Sequence, residues 1–159
     1  MRTLHINLSK QLLSTVEDGT QLKSYSISSA LNGVGQQQGS GQTPIGQHYI
    51  RAKIGQGTKI NSVFIGRRAT GEVYSSQLAA QFPKRDWILS RILWLCGTEV
   101  GINRLGQVDS MARYIYIHGT PDSEPMDVPK SHGCIRMRNA DILEIFNWVP
   151  KLCPVYIEV

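Results

Sequence analysis

Apolar residues in this chain of 159 residues recur with period two, or in short unbroken runs, almost from end to end. They take a helical period only once. That restricts the chain to a strand-rich fold with very little helix. Residues 4–8, Leu-His-Ile-Asn-Leu, alternate apolar and polar and read as a half-buried strand. Residues 11–16 give a second strand, Asp18-Gly19 is a tight-turn signal, and residues 20–27 return as a third. Thr43-Pro44-Ile45-Gly46 pins a turn that feeds a strand over residues 48–52. Further strands are expected at 62–65, 87–95, 114–117 and 155–159. The stretch 87–95, WILSRILWL, also has the length of a short buried helix, but Trp and repeated Ile/Leu at both ends favour a strand.

The helical exception follows the last histidine. Ile142, Leu143, Ile145, Phe146 and Val149 share one apolar face. Asn139 is placed to cap that helix, Asp141 suits its first turn and Pro150 ends it. A short helical turn is expected over 75–82, before Pro83. Residues 32–41 and 97–109 read as loops, and the second is long enough to suggest a functional role. The expectation is a mainly β domain, residues 1–159 as one unit, with one clear helix.

The chemistry is concentrated in residues 113–137, RYIYIHGTPDSEPMDVPKSHGCIRM. His118-Gly119 falls where the strand over 114–117 should end. Cys134 follows Ser131-His132-Gly133. A thiol with an ordinary pKa of about 8.5 is mostly uncharged at neutral pH, and a neighbouring imidazole that takes its proton makes it a nucleophile. His118 is the candidate base. It lies 16 residues before Cys134, enough for a loop to fold back and set the two side chains face to face. Gly119 leaves the backbone open there, so a main-chain carbonyl could hold the imidazole tautomer. His132 points the same way as Cys134 if that segment is extended, and could tune the thiol or contact substrate. The amides of Gly133 and Cys134 are candidate oxyanion donors. Arg136 offers a fork for a substrate carboxylate, or pairs with an Asp or Glu of the chain.

Two alternatives stand beside catalysis at this point. His118, His132 and Cys134 could ligate zinc, although no fourth ligand and no C-x-x-C accompany them. They could also be purely structural. Cys96, in an apolar run, and Cys153, before the last strand, read as small buried hydrophobes. His5 reads as an outward-facing strand residue and His48 as structural. The formal charge of +5 suits a solvated basic surface or an anionic substrate. No Lys/Arg run or nucleic-acid-binding pattern is present, and no apolar stretch approaches membrane-spanning length.

The H-G-T segment, the following loop and S-H-G-C-I-R-M, with the T-P-x-G turn upstream, resemble the L,D-transpeptidase catalytic domain (the YkuD-like family). The resemblance implies a β-sandwich with a capping loop beside the catalytic cleft, and no metal or other cofactor. It also implies that Cys134 attacks the L,D-peptide bond before the terminal D-alanine of a peptidoglycan stem, with His118 as base and the Gly119 carbonyl as its orienter. His132, Gly133, Arg136 and Ser131 complete the site, the last two toward substrate. The partners implied are stem peptides or muropeptides, with no nucleic acid and no stable membrane insertion. The polar start of the chain carries no signal peptide, which leads to the expectation of a cytoplasmic L,D-carboxypeptidase of muropeptide recycling. With a leader removed upstream of Met1, the expectation becomes a periplasmic transpeptidase that cross-links stems. A non-catalytic peptidoglycan-binding module is the third reading, and binding alone needs no thiol.

Overall fold

The computed structural model describes residues 1–159. The chain is strand-rich, in the order β1 (Arg2–Asn7), β2 (Leu12–Glu17), β3 (Thr20–Ser28), β4 (Gly46–Ile54), β5 (Ser62–Ile65) and β6 (Arg68–Val73). Then follow α1 (Ser76–Gln81), β7 (Ile88–Gly97), β8 (Tyr116–Thr120), β9 (Ile135–Arg138), α2 (Asn139–Trp148) and β10 (Pro154–Glu158). The ten strands form one sheet in the order β4-β10-β1-β2-β3-β9-β8-β7-β5-β6. A further pairing of β4 with β7 closes eight of them into a circuit, which leaves the β5–β6 hairpin hanging from β7. Closure removes the free edges that a strand-rich chain would otherwise present.

Local chemistry sets the turns. Asp18 and Gly19 both have positive φ, 49° and 80°, as a two-residue turn between twisted strands requires. Leu4, Ile6, Leu13, Ile27, Ile117 and Ile135 point from alternate strand positions into one cluster. Ile142, Ile145 and Phe146 of α2 pack into the same cluster. Each such side chain, buried, contributes about 1.5–3 kcal/mol of transfer free energy. Neither helix is long and apolar enough to cross a membrane.

Several elements differ from the sequence expectation. β6 has no counterpart in it, because Arg68–Val73 is largely exposed and interrupted by Gly71, so burial leaves no alternation to read. The strand expected over 114–117 begins at Tyr116, since Tyr114 sits at φ 57° in a turn; His118 is therefore within the strand and not at its end. Asn139 does not cap α2. Arg138 occupies the cap position and offers no side-chain bond, because Asn139 is turned inward for another task. The capping of α1 by Ser75, which accepts from the Leu78 amide at 3.0 Å, lies within the helical turn expected over 75–82. The segment 97–109 is organised by Asn103, which is fully buried and donates to the carbonyls of Ile45 and Gln47.

Candidate active site

β8 and β9 are parallel neighbours, with His118 opposite Arg136 and Ile117 opposite Ile135. The connection between His118 and Cys134 is thus a crossover, not the folded-back hairpin expected from the spacing. Residues opposed across a parallel ladder project to the same face, and alternate residues return to it. His118, Arg136 and Tyr116 therefore share the face opposite the main core. Cys134 stands beside Tyr116, whose amide donates to its sulphur at 3.3 Å.

A defect in β7 makes room for His118. The register slips between Leu89 and Ile92, and Ser90 takes φ 72°. Such bulges bend a strand and re-aim what lies beside it. Opposite the slip, His118 is buried and its Nδ1 lies 2.6 Å from the Gly119 carbonyl. A carbonyl only accepts, so Nδ1 carries the proton and Nε2 keeps its lone pair. Gly119 is required sterically. A Cβ there would meet the Leu89 carbonyl oxygen at 2.6 Å and Asn139 Oδ1 at 2.5 Å. Asn139 closes the back of the site. Its amide nitrogen donates to the Thr120 carbonyl at 2.8 Å, and its Oδ1 accepts from Ser90 Oγ at 2.5 Å.

The turn that carries Cys134 is held from within. Ser131 Oγ donates to the Cys134 carbonyl at 2.5 Å and accepts from the Gly133 amide at 3.2 Å. Gly133 has φ 132°, a conformation that favours glycine. Its carbonyl accepts from Thr43 Oγ1 at 2.9 Å, so the T-P-x-G turn clamps the loop that carries Cys134 from the neighbouring segment. The Gly133 amide, one of the two expected oxyanion donors, is thereby occupied. Ser131, expected to face substrate, is buried and spent inside the turn.

The thiol is half-buried and donates to the Tyr114 carbonyl at 3.3 Å. Burial pushes it up to about 12, and the Tyr116 amide pulls only partly against that. Burial pushes His118 below its ordinary value, against the pull of the Gly119 carbonyl and of Asp86. Both shifts favour a neutral thiol beside a neutral imidazole at rest. No hydrogen bond joins the two groups in this arrangement.

His132 and Arg136 have different surroundings. His132 is exposed, with Nδ1 3.4 Å from Asp86 Oδ2. Arg136 is buried and donates to Asp86 Oδ1 at 3.1 Å, with Glu124 at 3.8 Å on its other side. Of the two readings of Arg136, a substrate fork or a partner of the chain's own acids, the second describes its contacts in this structure, where Asp86 and Glu124 face its guanidinium. Burial works against charge on Asp86, but His118, Arg136 and His132 outweigh it and hold the carboxyl below its usual range. Asp86 gives no signal in sequence, lying in a polar stretch far from the S-H-G-C segment. No group of three His, Cys, Asp or Glu side chains converges as a metal site would require.

A cleft of about 310 Å3 opens at Cys134, lined by Gln38, Gly41, Arg113, Ile115 and His132 among others. Arg113 builds one wall. Its guanidinium donates to the carbonyls of Gly35, Gln36 and Gln42, which fastens the 35–42 loop beside the thiol. The other two histidines have separate places. His48 is buried between the Gly46 carbonyl and Ser110 Oγ, and burial lowers it to about 4. His5 is exposed on β1.

Comparison with known proteins bears on the fold and the family. An L,D-transpeptidase from Xylanimonas cellulosilytica superposes with a TM-score of 0.56 at 20% identity, over 99% of this chain and 60% of that one. An L,D-transpeptidase from Mycobacterium smegmatis gives 0.58 at 13% identity, over 99% of this chain and 58% of that one. L,D-transpeptidase 3 from Mycobacterium tuberculosis, in complex with a faropenem-derived adduct, gives 0.59 at 15% identity, over 99% and 60%. At such identities the likeness is one of fold, and the chain spans about three fifths of the length of these structures. No curated protein matches. The model of the L,D-transpeptidase catalytic domain, YkuD, matches residues 1–157. With nearly every residue inside that match, the chain belongs to the YkuD family of L,D-transpeptidase catalytic domains.

Proposed function

We propose that this chain is a cysteine-dependent L,D-carboxypeptidase that releases the terminal D-alanine of a peptidoglycan stem tetrapeptide. The single observation that carries the chemistry is the 2.6 Å contact of His118 Nδ1 with the Gly119 carbonyl. It leaves Nε2 as a base on the strand next to the one that Cys134 precedes. Because thiol and imidazole are both held neutral, the proton moves from Sγ to Nε2 as sulphur attacks the carbonyl, with no thiolate stored in advance. The Cys134 amide, which has no acceptor within the protein, is placed to receive the developing oxyanion.

An S–C bond forms, the C–N bond to D-alanine breaks, and His118 returns its proton to the leaving amine. Water then attacks the thioester, giving one proton to His118 and, through it, to sulphur. Water is the acceptor in this reading, and a cleft of about 310 Å3 at the sulphur gives it access. Hydrolysis needs one stem in place, whereas cross-linking needs two. The substrate is accordingly a free stem peptide of the kind met in muropeptide recycling.

The test is product analysis with a defined tetrapeptide, with and without an added amine, followed by mass spectrometry after exposure to faropenem. D-alanine release without amine and a covalent adduct on Cys134 are expected. Joined stems with no release from tetrapeptide alone would make the enzyme a transpeptidase. Neither product and no adduct would leave a binding module.

A further inference from the structure

A cluster that neither the reaction above nor the motif uses is joined to the thiol through Tyr114 and Tyr116. Arg67 lies 4.5 Å from the centre of the Trp94 ring and 4.9 Å from that of Tyr114, and its Nη1 donates to the Tyr116 hydroxyl at 3.1 Å. A second cation, Arg51, lies 5.6 Å from the Trp94 ring. The same two tyrosines hold the sulphur by their backbones, Tyr114 through its carbonyl and Tyr116 through its amide. Arg67 is therefore one tyrosine side chain away from the nucleophile.

Two features make this arginine unusual. Its partners are a phenol oxygen and ring faces, none with a full negative charge, in contrast to Arg136 between Asp86 and Glu124. Its backbone is also strained. Gly66 and Arg67 form the two-residue turn of the β5–β6 hairpin, both in the left-handed region at φ 55° and 65°. Asn or Gly suits the second position of such a turn, and a long cationic side chain there has no local reason to be present. The turn holds a guanidinium, braced by aromatic faces, against the two tyrosines whose backbones contact the sulphur.

We propose that Arg67, braced by Trp94 and Tyr114, receives the C-terminal carboxylate of the residue that leaves. This rests on the reading of the site as a carboxypeptidase. A carboxypeptidase must distinguish a chain end from a chain interior, and the leaving residue's carboxylate follows the attacked carbonyl by one residue of backbone. An unneutralised arginine at that reach supplies the distinction by a charge-assisted fork. Arg113, which lines the cleft at Cys134, is already committed to loop carbonyls and is not free to do so.

The experiment compares kcat/KM for a stem tetrapeptide acid and for the same peptide ending in a carboxamide. Arg67→Asn is the main variant, since Asn is suited to the left-handed turn and folding is not at issue; Arg67→Lys keeps the charge. The wild-type protein should prefer the acid by about tenfold to a hundredfold, chiefly through KM. Arg67→Asn should bring the ratio of acid to amide near one, and Arg67→Lys should restore part of it. Equal turnover of acid and amide by the wild-type protein would overturn the carboxylate subsite while the acyl chemistry stands. So would an acid preference that survives Arg67→Asn. Release of neither leaving group from either peptide would overturn the carboxypeptidase reading and the subsite together.

Discussion

His118 and His132 both precede the same cysteine in sequence, but they occupy opposite environments. His118 is shut inside a strand, its tautomer fixed by the Gly119 carbonyl and its back covered by the β7 bulge and Asn139. His132 stands in solvent on a turn, with a long contact to Asp86. A buried ring with one nitrogen committed can present the other in a fixed direction, and burial keeps it unprotonated at neutral pH. An exposed ring on a turn has no such fixed direction. Proximity in sequence is therefore a poor guide to which histidine acts as base; the ladder that holds the ring is a better one.

The largest effect expected from this contrast belongs to the thiol that both histidines precede. Cys134→Ala should abolish D-alanine release while leaving the thermal midpoint close to that of the parent, because the site is half-open and little cavity results; an active Cys134→Ala protein would remove the nucleophile from the scheme. Next, His118→Gln should lower kcat by about 10²–10⁴-fold, the usual range for a general base. If His132→Ala has the larger effect, the assignment is reversed.

The pH profile sharpens the same point. Since burial depresses His118 and only its neutral form accepts a proton, kcat/KM should rise with pH through a midpoint below the ordinary histidine value of about 6.5. A midpoint above about 7 would remove the buried His118 as the group whose ionisation controls the rate. The rate of Cys134 alkylation by iodoacetamide should climb toward high pH without an acidic plateau, because burial raises the thiol and no ion pair is stored. The smallest effect is expected for His132→Ala, under about tenfold in kcat/KM, as suits an exposed and weakly held pair.

Much of the fold, and the two segments that carry the chemistry, are legible in the order of the residues. Strands with period-two burial, such as residues 4–8, and the single amphipathic helix declare themselves through periodicity. Asp18-Gly19 states its turn outright. The H-G-T and S-H-G-C segments point to the right strand and turn, but not to their parallel pairing, because spacing alone does not separate a crossover from a hairpin. Arg136 illustrates a second limit. Its fork is visible in sequence, but its neutralisation by Asp86, 50 residues earlier, depends on tertiary contact. Asn139 has a residue type that suits a helix cap and is spent on the buried joint between Thr120 and Ser90. Thr43 reads as a turn residue and Ser131 as a substrate contact, and their hydroxyls shape the Cys134 loop through partners distant in the chain or hidden in the turn.

The parallel pairing of β8 with β9 has an engineering corollary. Base and sulphur are aligned by ladder register and by the Tyr116 amide, so the span of backbone linking them is not what sets their separation. Extra residues inserted around 123, outside both strands, should leave the catalytic alignment untouched. A one-step slip of β9 against β8, with every residue retained, would turn Arg136 and its alternates to the other side of the sheet and dismantle it.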